Sequence, residues 1–293
     1  GVAMAAILIT VLSCIGTSIL FSAGQFVRQT NGSAHETYYG VSADDLKYFQ
    51  NNQAIEEMWM KKIVGNYSFS LNGLEVEKDS YGHECLLSVN CTQEGWFSSQ
   101  GLRLFSGRYA GKEGEVVLPR SVRTELGLDV NIGDTIEAKQ GEESVLFQVV
   151  GFVEHDDMGI EFDEAYDDFD TYTDMDKKIA YRLIPAYGPW QEETFGEGKY
   201  DVSLRFTKWG LARQEEVTAG LLGISTELYQ SKVKHYYDIR SQRGDGIPVR
   251  VDKYVQNDVL VNLDGISPFH PTMLTVWGIA FAEIEVWESV RER

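Results

Sequence analysis

The chain has 293 residues, with 26 Lys or Arg and 45 Asp or Glu, and its formal net charge is −19. Hydrophobic residues make up 43% and aromatic residues 12% of the chain, which argues against disorder because a disordered chain lacks the apolar surface that offsets ordering entropy. The acidic balance argues against a nucleic-acid partner, since phosphate binding requires clustered Lys and Arg.

The chain opens with an apolar run. Residues 2–21 are almost wholly apolar, and Arg28 is the first charged residue. A helix of this length spans about 30 Å, the thickness of the hydrocarbon core of a bilayer. We therefore predict a transmembrane helix over residues 2–27. A signal peptide, which usually has a shorter apolar core and a basic start, and a buried helix of a soluble domain are the alternatives.

A second helix is predicted over residues 42–64. Ser42 followed by Asp44 and Asp45 is typical of a helix N-terminus, where a hydroxyl cap precedes acidic residues in the first turn. Gly65 would end the helix. The apolar residues at helical spacing are Leu46, Phe49, Ile55, Met58, Trp59 and Ile63.

Alternating and β-branched residues predict strands in the middle of the chain. They cover residues 67–71, 86–89, 96–104, 115–118, 135–138, 145–153 and 201–206. A helix over residues 215–228 follows, because its apolar side chains recur at spacings of four and three. The body of the chain is therefore predicted to be α+β.

A second apolar run covers residues 266–282 and is followed by three glutamates. We predict a second transmembrane helix over residues 266–288, with an amphipathic terminal helix on a soluble domain as the alternative. Arg291 and Arg293 just beyond it favour a cytoplasmic end under the positive-inside rule. The acidic body between the two runs is then expected on the extracytoplasmic side.

Four segments carry a resemblance to a known family. They follow SADDLKYFQNNQAIEEM at 42–58, which is read as a helix ahead of a strand. In chain order they are GLRLFSGR at 101–108, EVVLPRSVRTELGL at 115–128, NIGDTIEA at 131–138 and VLFQVVGFVE at 145–154. Placed after an apolar N-terminal helix, this order resembles the extracytoplasmic core domain of MacB-like and FtsX-like ABC transporter permeases. The resemblance covers the first predicted span and most of the body, and it is densest over residues 101–154.

The resemblance implies a membrane-anchored extracytoplasmic domain of two subdomains, flanked by transmembrane helices. Residues 28–96 and 200–265 would form a membrane-proximal α+β subdomain with a mixed sheet and helices. Residues 97–199 would form an inserted β-rich subdomain. The chain would lie in the plasma or inner membrane, with most of its mass outside the cytoplasm.

The resemblance also implies a permease subunit that is not itself an enzyme. A partner ABC ATPase would bind ATP and Mg²⁺, and a second permease copy or paralogue would complete the membrane unit within the membrane lipid. The chain would transmit ATP-driven motion for export, extraction or signalling of a lipid, lipoprotein or peptide, or act on an envelope protein. The alternative is a membrane-anchored sensor or receptor ectodomain without an ATPase.

Motifs for chemistry are incomplete. Residues 107–112 resemble a phosphate loop, but three residues instead of four separate the glycines, and Glu113 stands where Ser or Thr would hold magnesium. His83 is not followed by a second histidine four residues later, so the pattern of a zinc helix is missing. We assign no catalytic residue and no cofactor to this chain.

Five residues of the matched segments have predicted structural roles. Gly107, Gly127 and Gly133 are expected in turns that need positive φ. Asp134 is expected to accept a hydrogen bond within its turn. Arg108 is expected to pair with a carboxylate as an anchor of the fold.

Residues 154–176 contain eleven Asp or Glu and no Lys or Arg. A solvated loop, a surface for a cationic peptide, and a calcium site are the three interpretations. In the last, Asp167, Asp168 and Asp170 would supply the oxygen ligands that calcium prefers.

Two cysteines are candidates for a disulfide. Cys85 and Cys91 could close a small hairpin in an oxidising compartment, and two thiols are the alternative. Cys14 lies in the first predicted span.

Overall fold

The structure, a computed structural model, describes residues 2–79, 82, 84–124, 127–154, 161–163, 181–191, 198–234 and 249–265. These residues form one mixed sheet with short helices around it. The strands are β1 Glu36–Ser42, β2 Ile55–Leu71, β3 Leu74–Val76, β4 Cys85–Thr92, β5 Arg103–Gly107, β6 Glu115–Pro119, β7 Thr135–Gln140, β8 Glu143–Glu154, β9 Glu161–Asp163, β10 Tyr181–Pro189, β11 Lys199–Phe206 and β12 Lys253–Gln256. The helices are α1 Val2–Thr30, α2 Trp96–Ser99, α3 Ser121–Thr124, α4 Lys208–Ala212, α5 Gln214–Leu222, α6 Thr226–Leu228 and α7 Asp258–Gly265.

The apolar N-terminal run is helical, since the backbone of α1 is continuous over 29 residues. Most side chains before residue 21 lie outside what the structure describes. Within the described part of the chain, no helix has both the length and the apolar character needed to span a bilayer. Membrane insertion of residues 2–27 stays a prediction, and the predicted span over residues 266–288 lies outside the described residues.

The main path of the sheet runs in the order β12, β1, β11, β2, β4, β10, β6, β8 and β5. The β4–β10 and β6–β8 pairs are parallel, and the remaining pairs are antiparallel. Because β7 pairs with both β2 and β8, the pairing closes on itself. We call the closed set of β2, β4, β10, β6, β8 and β7 the ring. The predicted α+β class is confirmed.

Strand β2 occupies residues 55–64 of the helix predicted over residues 42–64, and that prediction is wrong. Only a 3₁₀ turn over Asp45–Tyr48 forms, and the Asp45 N–H donates to the hydroxyl of Ser42 at 3.2 Å. The reason lies in the irregular pairing of β2. Its register shifts near Ile55–Glu57 opposite β11 and between Ile63 and Gly65 opposite β4, and each extra residue interrupts the alternation of period two. The apolar residues of this strand therefore recur at spacings that resemble those of a helix.

Two smaller predictions also need correction. The strand predicted over residues 96–104 is in fact the helical turn α2 followed by β5. The helix predicted over residues 215–228 is divided, because Gly223 ends α5 with φ +77° and Ser225 caps α6. The remaining predicted strands lie within described strands.

The apolar side chains pack into two main cores. The first core lies between β1, β11, β12 and the helices after β11, and the second core lies inside the ring. The first is built from Tyr38, Val41, Leu46, Phe49, Met60, Tyr200, Val202, Leu204, Phe206, Ala219, Leu221, Leu222, Tyr229, Val233, Val251 and Tyr254. The second is built from Phe69, Cys85, Leu87, Val89, Val116, Leu118, Val122, Val130, Ile136, Ala138, Val149, Phe152, Ile184 and Ala186. Strand β2 contributes to both, and the subdomain division at residue 97 stays a prediction.

Candidate functional site

The end of α1 and the start of β1 meet α7 at one corner of the described fold. After α1, Gly32 turns the chain with φ +87°, and a side chain there would collide with the carbonyl oxygen of Ser99. Asn257 begins α7, because its side-chain oxygen accepts a hydrogen bond from the Leu260 N–H at 3.2 Å. The Asn257 N–H donates to the His35 carbonyl at 2.8 Å. These contacts hold both ends of the described body on β1.

Asp264 joins these elements through its side chain. Its Oδ1 lies 2.5 Å from Nη2 of Arg28, and its Oδ2 lies 2.9 Å from Nε2 of His35. We call Arg28, His35 and Asp264 the junction. It links the last turns of α1 and α7 to the first residues before β1.

Hydrogen bonding fixes the protonation of the buried His35 ring, which is 2% exposed. The Phe206 N–H donates to Nδ1 of His35 at 2.9 Å. Nδ1 is therefore an acceptor, and Nε2 carries the hydrogen that His35 donates to Asp264. Burial raises the pKa of Asp264, but the hydrogen bonds from His35 and Arg28 and the charge of Arg28 hold it below its usual value. The junction thus joins a neutral histidine, a carboxylate and a guanidinium.

Glu36, the next residue, points into the first core and is 1% exposed. Its carboxyl oxygens accept hydrogen bonds from Tyr38 Oη at 2.5 Å, Gln214 Nε2 at 2.5 Å, Thr218 Oγ1 at 2.9 Å and Tyr254 Oη at 2.9 Å. The four donors come from β1, α5 and β12. This carboxyl therefore connects the edge of the sheet to the helix that covers it.

No Lys, Arg or His among the described residues forms an ion pair with Glu36. Burial raises the pKa of Glu36 to about 7, although its hydrogen bonds oppose that shift. Burial and the Glu36 charge together raise the pKa of Tyr254, and of Tyr38, well above the usual value. They raise the pKa of Tyr229 to about 12. Glu36 is therefore the group in this cluster that exchanges its proton near neutral pH.

A buried ion pair joins the neighbouring strands β2 and β11. Lys61 Nζ is 2.7 Å from Asp201 Oδ2, and the two side chains are only 11% and 3% exposed. The Gly40 N–H donates to Asp201 Oδ1 at 3.2 Å, and Lys61 Nζ lies 5.4 Å from the centroid of the Trp96 ring. The pair ties β2, β11 and β1 together.

The turn residues of the matched segments have the geometry that their roles require. Gly107, Gly127 and Gly133 have φ of +77°, +66° and +98°. The Asn131 N–H donates to Asp134 Oδ2 at 2.7 Å within one turn.

Arg108 holds Glu115 with two hydrogen bonds, at 2.7 and 2.6 Å. The backbone N–H groups of Gly111 and Lys112 donate to the same carboxylate at 3.1 and 3.2 Å. The Arg108 hydrogen bonds and these backbone donors lower the pKa of Glu115 to about 2. The backbone donors of the segment that resembles a phosphate loop are therefore already bound to the Glu115 carboxylate.

The three acidic residues proposed as calcium ligands cannot be placed. Asp167, Asp168 and Asp170 lie outside the described residues, so the three interpretations of residues 154–176 stay open. Among the described residues, no group of three His, Cys, Asp or Glu side chains is placed to hold a metal ion.

The predicted disulfide is not formed. Cys85 and Cys91 both lie on β4, and no bond joins their sulfurs. Six residues of extended strand separate Cα atoms by about 20 Å, whereas a disulfide needs about 4–7 Å. No hairpin turn separates them, because β4 continues through both residues. Burial raises the pKa of the Cys85 thiol to about 11.

The residues of the junction and both buried charge clusters were missed by sequence reasoning. Glu36 and Lys61 meet their partners across sequence separations above 100 residues. A carboxylate between aromatic residues in the ETYYGVS strand is the one local signal that could have marked Glu36.

Comparison with known proteins gives several similar chains among the solved structures, including the following two. No family model matches the sequence, and no curated protein matches it. One structure, the extracellular domain of the noncanonic ABC-type transporter YknZ from Gram-positive bacteria, is 13% identical, covers 65% of this chain and 93% of its own, and has a TM-score of 0.39. The other is a domain of a protein described as a permease from Porphyromonas gingivalis. It is 12% identical, the match covers 75% of this chain and 85% of that domain, and the TM-score is 0.38.

Proposed function

We propose that the chain is a permease subunit of an ABC transporter of the MacB/FtsX type, with the described body outside the cytoplasm. Two observations support this proposal. The first is the order of the four matched segments after an apolar helix. The second, which carries the role, is that Arg28 and Asp264 tie together the two elements that lead to the predicted membrane spans.

The proposed role is the transmission of motion. A shift of α1 relative to α7 has to stretch or break the Arg28–Asp264 pair, and Asp264 also holds His35. His35 in turn accepts from Phe206 at the end of β11. Motion of the membrane helices would therefore reach the middle of the sheet through three side chains and would not be absorbed by a flexible linker.

In this proposal the chain performs no catalysis itself. A cytoplasmic ATPase partner would bind ATP and Mg²⁺, and a second permease copy or paralogue would complete the unit in the cell membrane. The transmitted motion would serve export, extraction or signalling of a lipid, lipoprotein or peptide.

Copurification tests the proposal. The full-length chain is extracted from its own membranes in mild detergent and isolated by an affinity tag. We expect a nucleotide-binding subunit in constant ratio, together with Mg²⁺-dependent ATP hydrolysis. A preparation that repeatedly lacks any nucleotide-binding subunit would favour the membrane-anchored sensor instead.

A variant pair tests the junction within that complex. Asp264→Asn removes the charge that holds Arg28, and Asp129→Asn makes the same change at an exposed position away from the junction. We expect both variants to copurify with the ATPase, but only Asp264→Asn to change the rate of ATP hydrolysis severalfold. Equal rates in the two variants would remove the junction from the transmission path.

A further inference from the structure

A groove of about 510 Å³ lies where the parallel strands β4 and β10 end. Four segments converge on it: the end of β4, helix α2, the loop after β5, and the end of β10. Its lining residues are Thr92, Gln93, Glu94, Gly95, Phe97, Ser98, Tyr109, Ala110, Pro189 and Trp190. We call it the aromatic groove. Its volume falls in the range of about 300–1,000 Å³ that is usual for small-molecule sites.

Aromatic rings form its walls. The Tyr109 ring stacks on Phe97 with centroids 4.7 Å apart, and 43% of Tyr109 is exposed. Phe97 is held from behind by edge contacts with Tyr187 at 5.4 Å and Trp96 at 5.8 Å. A second layer of rings therefore fixes the ring of Phe97 in place, and Tyr109 stacks on it at the surface.

Two of the three hydroxyl groups of the lining, those of Thr92 and Ser98, already donate to backbone carbonyls. Thr92 Oγ1 donates to the Gly188 carbonyl at 3.2 Å, and Ser98 Oγ donates to the Gly95 carbonyl at 2.8 Å. A neutral polar ligand such as a sugar would find few hydroxyl hydrogens to accept from. The lining therefore favours a ligand that interacts with ring faces.

Glu94 is the one charged residue of the lining. The residues on either side of it, Gln93 and Gly95, are held in place by contacts with β2. The Gln93 N–H donates to the Met60 carbonyl at 3.0 Å, and the Met60 N–H donates to the Gln93 side-chain oxygen at 2.9 Å. Gly95 has φ +83°, and a side chain there would lie 2.8 Å from Trp59 Nε1. Among the described residues, the exposed Glu94 carboxylate has no ionic partner.

We propose that the aromatic groove binds a small organic ammonium ion, whose charge lies between the Glu94 carboxylate and the outer face of the Tyr109 ring, which Phe97 supports from below. Aromatic faces attract cations through the ring quadrupole, and Glu94 adds a full opposite charge with no basic lining residue to compete. The net charge of −19 raises the local concentration of cations. This binding goes beyond the proposed function and does not depend on an ATPase partner.

Ligand-observed NMR on the full-length chain in detergent tests the site. The probe is phenethylammonium, and 2-phenylethanol is its neutral counterpart of similar size. We expect phenethylammonium to bind at least about tenfold more tightly than the alcohol, which corresponds to the combined strength of a cation–π contact and a charge-assisted hydrogen bond. Equal affinities of the two probes would overturn the proposal.

Variants separate the site from general attraction to an acidic protein. Glu94→Gln should weaken phenethylammonium binding about fivefold or more, whereas Glu142→Gln, which removes one exposed charge at the β7–β8 turn, should change it less than about twofold. Tyr109→Leu should weaken binding and Tyr109→Phe should preserve it, because only the ring is needed.

Two further outcomes would also contradict the proposal. One is an equal loss in Glu94→Gln and Glu142→Gln, which would indicate non-specific attraction. The other is binding of a lysine-containing peptide when phenethylammonium does not bind, which would make the groove a peptide surface and not a small-molecule site.

Discussion

The first core and the ring differ in what the polar groups buried beside them connect. Next to the first core, the chain buries the Glu36 carboxyl, the His35 ring and the Lys61–Asp201 pair. The core inside the ring consists of hydrophobic side chains. Beside that core, near the start of β4, Nε of Arg182 lies 3.1 Å from Oδ2 of Asp79 in a buried ion pair. Hydrophobic packing depends little on pH, whereas buried charges respond to protons and to displacement of their partners.

This difference assigns distinct behaviour to the two regions. The ring is expected to move as a stiff unit, since close-packed apolar interiors yield little. The region around the first core lies beside the two ends of the described body, and its polar contacts join separate elements there. It is therefore the part that we expect to respond when α1 or α7 shifts.

The largest effect is expected from Lys61→Met. The change leaves the Asp201 carboxylate buried without its cation, and breaking a buried pair in this way costs about 3–5 kcal/mol. The free energy of unfolding of the full-length chain, measured by urea denaturation with tryptophan fluorescence, checks the value.

A double variant is the matched control for that loss. Lys61→Met combined with Asp201→Asn removes both charges, and the asparagine oxygen can still accept from the Gly40 N–H. We expect the double variant to recover most of the lost stability. If Lys61→Met alone costs under about 1 kcal/mol, the pair behaves like an exposed one.

A smaller effect is expected from Glu36, and it depends on pH. Because burial raises its pKa from 4.5 to about 7, the native state keeps a proton that the unfolded chain has lost between these values. The contribution of Glu36 to stability is therefore greatest below pH 4.5, falls as the pH rises, and levels off above pH 7. A shift of this size corresponds to roughly 3 kcal/mol.

Glu36→Gln isolates that contribution, since the amide keeps the shape and does not titrate. The difference in unfolding free energy between the native chain and this variant should change with pH in the direction just given. A difference that stays constant from pH 4.5 to 8 would show that the Glu36 carboxyl does not titrate between these limits.

Local patterns in the sequence were enough to predict several strands and turns. Strands β6, β7 and β8 were predicted because they are short, alternate or carry β-branched residues, and lie between turn residues. The turns at Gly107 and Gly133 were predicted because positive φ is a local requirement of one residue.

The buried charges could not be predicted in the same way. His35 and Asp264 are 229 residues apart, and they meet only because β12 pairs with β1 and leads into α7. Lys61 faces Asp201 only through the register of β2 with β11. β2 itself was mistaken for a helix, since two register irregularities interrupt its alternation.

The smallest effect is expected from Arg120→Met at the surface of the ring. Arg120 pairs with Glu154 at 2.5 Å, but the two side chains are 40% and 38% exposed. Water and salt screen such a pair, so its loss should cost less than about 1 kcal/mol. Arg120 also lies over the Phe105 ring at 4.1 Å, and methionine keeps a favourable contact with an aromatic ring. The cost should shrink further in 1 M salt, whereas the loss in Lys61→Met should persist, because a buried pair is screened much less. Similar losses of stability in both variants at both salt concentrations would show that salt screens the Lys61–Asp201 pair as much as the Arg120–Glu154 pair.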